Sequence, residues 1–446
     1  MKHLLVFGAG KSATVLIDDL NKTCAEKNWS LVVADADLNT AQSKITDTSV
    51  AKAIELDITN TDARRMLITD ADVVISLLPP HLHIHVAMDC AAIGRHLLTA
   101  SYVDDAIRNL EAEIKSKELL FLCEMGLDPG IDHMSAMQLI DRIKEAGGQI
   151  TSFKSHCGGL VAPESDNNPW HYKISWNPRN VVRAGSAGAL YKENEEIVSR
   201  NYQQIFENTP SLTVEGLPAL AWYPNRDSLS YIPLYNLEET ATFIRTTLRY
   251  AGFCKGWDLM VDLNLTADDD ASFVDGCATY HDWFSKKLKQ VEGRELSLRM
   301  YLELYIPETD HDLLLEQFDF LELDASKPLP PGKSTSADLL QHQLEQKLVL
   351  APEDRDMIVM MHEIDYSINN QSHHINSTLV VKGVDSRHTA MAKTVGLPLS
   401  IAAKLILENK IQVRGLHIPT GKEIYEPVLK ELEEKGVKFA ERDMKL

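Results

Sequence analysis

Residues 3–20 read HLLVFGAGKSATVLIDDL. The apolar run HLLVF has the character of a buried strand, breaks at glycine, and resumes as a helix-like amphipathic stretch, KSATVLIDDLNKTCAEKN. The join, GAGKSA at Gly8 to Ala13, matches GxGxxA. Glycines there let the backbone approach a pyrophosphate, which then lies over the unpaired amides of a helix N-terminus. Gly8, Gly10, Lys11, Ser12 and Ala13 are therefore candidate contacts to a dinucleotide.

Working outward, SLVVADAD, AKAIELD, DADVVISLLPP, HLLTASY and LLFLCEMG read as further strands separated by helical stretches. Such alternation implies parallel strands with helical crossovers, a doubly wound α/β sheet. Asp35, at the end of the second strand, is placed to accept the ribose hydroxyls of an adenosine and to repel a 2′-phosphate, so NAD is expected and NADP less so. The bland reading is that Asp35 caps the following helix, which leaves Asp37 as the fallback. Asp57 closes the third strand, and Leu77 and Leu78 precede a proline pair where the sheet's carboxyl edge meets the cofactor. His83 and His85, in HIH, invite a metal reading, but i and i+2 on a helix face different ways and no third ligand is near. No metal is expected.

Beyond residue 150 the strands lengthen and turn signals multiply, as in an α+β domain with a mixed sheet, and residues 285–350 are charged and helical. A β-hairpin and two helices follow, the first of which, HTAMAKTVGLPLSIAAKLILENKI, has the N-terminal sheet as its natural partner. The expected organisation is a discontinuous Rossmann domain (1–128 and 389–446), a substrate domain (129–284 and 351–388) and a helical insertion (285–350).

The balance of 45 Lys+Arg against 65 Asp+Glu, a formal charge of -20, repels polyphosphate backbones and anionic lipid surfaces, so neither nucleic acid nor membrane is an expected partner. The apolar run at the N-terminus is too short for a signal core or a span, and no other stretch reads as membrane length, so a cytoplasmic protein is expected. Six cysteines without CxxC spacing argue against a disulfide framework. An acidic protein that binds an anionic metabolite must gather arginines locally, and Arg226, Arg245 and Arg249 are the candidates.

The stretches GAGKSA, VISLLPPHLH, TASYV, EMGLDPGIDHM, CGGLVAPES, YKISW, YPNRDS, IRTTLRYAGF and MAKTVGLPLSIAAKLIL together resemble the L-glutamate-forming saccharopine dehydrogenase family, also called saccharopine reductase. The resemblance spans nearly the whole chain and is least clear over 260–375. It implies a Rossmann domain closed by C-terminal helices, a substrate and dimerisation domain, and a homodimer. It also implies that saccharopine, water and NAD(P)+ give L-glutamate, 2-aminoadipate 6-semialdehyde and NAD(P)H through an imine, without metal. Carried over by motif, Ser101, Tyr102 and Asp128 are substrate contacts, Arg226 and Arg245-Thr246-Thr247 are carboxylate clamps, Cys157 matches the active-site cysteine, and Trp176 lies near the cofactor. Asp128, Cys157 and Tyr102 are the proton-transfer candidates, and the sequence does not rank them. Several fungal relatives that use NADP carry an arginine after the second strand where this chain has ADAD, and Val161 stands where relatives often have proline. Two alternatives remain at this stage: an imine reductase for a polyamine of the carboxynorspermidine type, or a non-catalytic NAD-binding regulator.

Overall fold

A computed structural model describes all 446 residues, which divide into two compact units. The first comprises Met1–Thr151, Pro233–Leu237 and Met360–Leu446, and the second Ser152–Ile232 and Glu238–Val359.

In the first unit, strands β1 (His3–Phe7), β2 (Ser30–Asp35), β3 (Ala51–Glu55), β4 (Val73–Ser76), β5 (His96–Thr99) and β6 (Leu120–Leu122) are all parallel. Their order is β6-β5-β4-β1-β2-β3, with a seventh parallel strand, Gly415–His417, beside β6. This is the doubly wound order, and its reversal between β1 and β4 opens a crevice at the carboxyl ends of those two strands. β1 and β4 are apolar and almost wholly buried because helices cover both faces of a parallel sheet. The helix Ala390–Leu407 packs chiefly on the helix Thr14–Lys27, and less on the sheet named as its natural partner.

That C-terminal helix corrects one expectation. It is long and apolar enough to cross a membrane by length and composition, with a mean hydropathy of 1.5, yet 78% of it is buried inside the protein. Its apolar residues face a protein core on nearly every side, which is why it lacks the polar stripe of a surface helix.

The boundaries expected at 128 and 389 fall inside the first unit. Helix Ile131–Glu145 packs on helix Lys422–Glu434, where the Tyr425 hydroxyl donates to Asp141 at 2.6 Å. The strand Gln371–Lys382 pairs antiparallel with a C-terminal strand, Ala440–Lys445, that the sequence did not signal. Two long strands, Gln149–Val161 and Asp356–Ile368, each begin in one unit and end in the other.

The second unit has the mixed sheet expected of it: Thr242–Tyr250 runs parallel to Gln149–Val161 and antiparallel to Leu220–Pro224. The helices Tyr280–Glu292, Leu298–Tyr305, Glu308–Phe320 and Ser336–Lys347 occupy the charged helical stretch, the first starting ahead of the expected boundary at 285. Capping boxes at Thr279/Asp282 and Thr335/Asp338 start two of them by satisfying otherwise orphaned amides. Their apolar faces close over Trp170, Phe253, Trp257 and Trp283 in one core. Full burial of each such side chain contributes roughly 1.5–3 kcal/mol.

Candidate active site

Each unit carries its own part of the expected site. In the first, Gly8 has φ +97°, and a Cβ placed on it would lie 2.6 Å from the Leu77 carbonyl oxygen. Only glycine permits both that backbone and that approach. The Leu77 amide in turn donates to Phe7 O at 2.8 Å, so the glycine loop and the end of β4 form one surface. A Cβ on Gly10 would meet nothing within 4 Å. That open cradle before the helical run starting at Lys11 fits a dinucleotide pyrophosphate.

Asp35 accepts from Ala9 N at 2.6 Å and from Asp37 N at 3.0 Å, which ties the end of β2 to the glycine loop. Asp37 caps helix Leu38–Gln42 through Asn39 N, so the capping role considered for Asp35 belongs to Asp37. Asp57 is exposed and holds a turn by accepting from Thr59 N and Oγ1, bonds that keep its carboxyl below the usual range. Sequence reasoning missed Lys44, whose buried amine donates to Gly10 O. Burial first, and then the Arg387 guanidinium, push its pKa down to about 8.

The segment Cys123–Gly130 is not the strand end expected. β6 stops at Leu122, and Asp128 comes from a buried turn with a cis Asp128–Pro129 peptide. The helix then starts at Ile131. Tyr102 OH donates to Asp128 Oδ1 at 3.3 Å, which brings two of the proton-transfer candidates together. Ser101 adjoins them, its Oγ 2.8 Å from His83 Nε2.

Glu124 and His133 form a buried chain that sequence reasoning did not foresee. Glu124 Oε2 is 2.8 Å from His133 Nε2, and His133 Nδ1 is 2.5 Å from the Tyr235 hydroxyl. Glu124 Oε1 also accepts from Val103 N at 3.1 Å, so this chain braces the Ser101–Val103 segment. Asp132 accepts from Gly130 N at 2.5 Å and steadies the turn that presents Asp128.

In the second unit, Cys157 pairs in register with Thr247 on the neighbouring parallel strand. Side chains alternate along a strand, so Arg245, Thr247 and Arg249 share the Cys157 face. Arg245 is buried, with its guanidinium 4.4 Å from the Tyr231 ring centroid. Arg249 is 4% exposed and rests against Tyr172 and Phe253, each centroid 5.4 Å away, while its Nε has no hydrogen-bond partner. Arg226 is exposed, and the preceding Asn225 amide donates to Arg245 O at 2.8 Å. Thr246 points to the opposite face, where its hydroxyl is 2.7 Å from His156 Nδ1, so its side chain is not beside Cys157. Trp176 is half-buried and donates from Nε1 to Tyr172 OH at 3.0 Å.

The first unit thus carries a Rossmann loop with an open phosphate cradle, and the second a sheet face with two buried arginines. Family models agree: residues 4–122 match the saccharopine dehydrogenase NADP binding domain and residues 126–437 the saccharopine dehydrogenase C-terminal domain. The chain belongs to the saccharopine dehydrogenase family. Within that family it is 33% identical to the saccharopine dehydrogenase [NADP(+), L-glutamate-forming] of Saccharomyces cerevisiae, covering 99% of each chain. An apo structure of the L-Glu-forming yeast enzyme matches with a TM-score of 0.89 over 100% of both chains. The alpha-aminoadipic semialdehyde synthase of Arabidopsis thaliana is also 33% identical over 98% of this chain, which spans 44% of that longer protein.

Membership makes this saccharopine dehydrogenase relative an oxidoreductase of lysine metabolism with a nicotinamide cofactor. The expectation that NAD comes first is not supported, because the matching domain model and the yeast enzyme are both named for NADP. A carboxylate at Asp35 disfavours a 2′-phosphate through its own charge, and the buried Lys44 amine, which interacts with Asp35, offsets part of that charge.

Proposed function

We propose that the chain is an L-glutamate-forming saccharopine dehydrogenase. It oxidises saccharopine with water and a nicotinamide dinucleotide to L-glutamate, 2-aminoadipate 6-semialdehyde and the reduced dinucleotide. The observation that carries the reading is end-to-end likeness to the yeast L-glutamate-forming enzyme, with both chains covered almost completely. The buried Arg245 and Arg249 favour a polycarboxylate over a polyamine, since guanidinium groups repel amines and attract carboxylates.

Gly8, Gly10 and the amides of Lys11 and Ser12 would hold the pyrophosphate, the Ala13 amide being taken by Gly10 O at 3.0 Å, with Asp35 and the Leu77–Leu78 backbone beside the ribose. The bound nicotinamide supplies a hydride acceptor. Every other task falls to the protein. Tyr102 and Asp128, already hydrogen-bonded, hold the proton exchanged with the secondary amine and with water. Cys157 shares a sheet face with Thr247 and two arginines, where it contacts a substrate held by its carboxylates. Reduced nicotinamide formed on adding saccharopine with NAD+ or NADP+ supports this function, and no turnover with either cofactor overturns it.

A further inference from the structure

His83 opens the helix His83–Ile93, in the HIH stretch set aside above as a metal site. Its side chain is 3% exposed and bridges two strand ends. Nδ1 lies 2.8 Å from the hydroxyl of Ser76, the last residue of β4, and Nε2 lies 2.8 Å from the hydroxyl of Ser101, just past β5. Burial holds the ring neutral by pushing its pKa down to about 4, with Asp104 opposing the shift and His81 adding to it. A neutral imidazole has one N–H and one lone pair, so the two serines cannot be bonded alike.

Ser76 decides between them. Its side chain is fully buried, and His83 Nδ1 is the hydroxyl's only hydrogen-bond partner. If Nδ1 carried the proton, the Ser76 hydroxyl hydrogen would be left in a dry interior with no acceptor, an arrangement native cores avoid. Ser76 therefore donates to Nδ1, the proton sits on Nε2, and Nε2–H donates to Ser101 Oγ. The Ser101 hydroxyl hydrogen is then free of the imidazole. The Ser101 backbone is fixed as well, its amide donating to Thr99 Oγ1 at 3.2 Å and its carbonyl accepting from Glu124 N at 3.1 Å.

We propose that His83 is a positioning residue that sets Ser101 as a hydrogen-bond donor to a carboxylate of the substrate. The opposite tautomer would make Ser101 an acceptor and select an amine. So low a pKa also makes His83 a weak base at neutral pH, so its contribution is orientation and not proton abstraction. The proposal rests on the reading of Ser101 as a substrate contact.

Steady-state kinetics of Ser101→Ala, His83→Phe, His83→Gln and the Ser101→Ala/His83→Phe double variant test it. His83→Phe and Ser101→Ala should each raise the KM for saccharopine about tenfold, the scale of one hydrogen bond to a charged group, while the cofactor KM stays within about twofold. The double variant should be no worse than either single, and His83→Gln, whose amide can donate at the same place, should recover most of the loss. An unchanged KM in Ser101→Ala overturns the reading of Ser101. A raised KM in Ser101→Ala with none in His83→Phe, or a double variant in which the losses multiply, overturns the role of His83 alone. The 15N spectrum of the wild-type histidines needs no variant: a neutral Nε2–H signal for His83 through neutral pH is expected, and the Nδ1–H tautomer overturns the proposal.

Discussion

Gly10→Ala separates binding from folding at the dinucleotide loop. Gly10 has φ -63° and ψ -176°, a backbone that alanine adopts without strain, and its Cβ would meet nothing within 4 Å. The substitution should leave stability unchanged or raise it by about 0.4–1 kcal/mol, because alanine restricts the unfolded chain. The methyl group, however, occupies the space that a phosphate needs in order to reach the loop amides. Losing one hydrogen bond between an amide and a charged phosphate costs about 1.5–3 kcal/mol, or roughly a 10- to 150-fold weaker cofactor. Gly8→Ala should behave differently: at φ +97° and 2.6 Å from Leu77 O, it should destabilise the free protein as well. Thermal melts of the free proteins and fluorescence titration with reduced cofactor read both quantities. Wild-type affinity in Gly10→Ala refutes the assignment of this loop to the pyrophosphate.

Asp35→Asn removes the charge at the end of β2, so the ratio of kcat/KM for NADP+ to that for NAD+ should rise about tenfold or more, and an unchanged ratio means Asp35 does not face the ribose. Arg249→Met replaces a buried guanidinium whose Nε lacks a partner with an apolar side chain of similar length. Stability should hold or rise while the KM for saccharopine increases about tenfold, and denaturant melts with steady-state kinetics check the two halves. Burial, with Asp262 and Glu207 nearby, pushes Asp258 from its ordinary value of 3.8 up to about 7. The folded protein therefore holds this proton where the unfolded chain has lost it, so stability falls as pH rises through that window, by at most roughly 4 kcal/mol. Asp258→Asn should flatten that slope in urea melts at pH 5 and pH 8, and an unaltered slope rejects it.

The Rossmann half was legible because its signals are local: a glycine turn between a strand and a helix, and apolar runs at regular intervals. Gly415–His417 is too short to show a period, and Ala440–Lys445 carries the charges of an exposed edge strand, so neither announced itself. Asp128 was found by motif, yet its presentation from a turn six residues past β6 was not, because the run LLFLCEMG reads as one strand. The chain Glu124–His133–Tyr235 joins residues 102 positions apart, and nothing in the neighbourhood of His133 hints at its partner. The tautomer lock at His83 likewise depends on Ser76 being buried, a property of the folded sheet. The arginine face shows the opposite case: two-residue alternation along IRTTLRY already aligned Arg245 with Arg249 and turned Thr246 away, a pattern that residue-by-residue matching passed over.

Saccharopine has two carbon–nitrogen bonds at its secondary amine, and the proposed function breaks the one that leaves the nitrogen on glutamate. Incubation of the purified protein with saccharopine and NAD+ or NADP+, followed by quantification of amino-acid and keto-acid products, tests it directly. L-glutamate and 2-aminoadipate 6-semialdehyde in equal amounts to the reduced cofactor is the expected result, and lysine with 2-oxoglutarate, or no product at all, contradicts it.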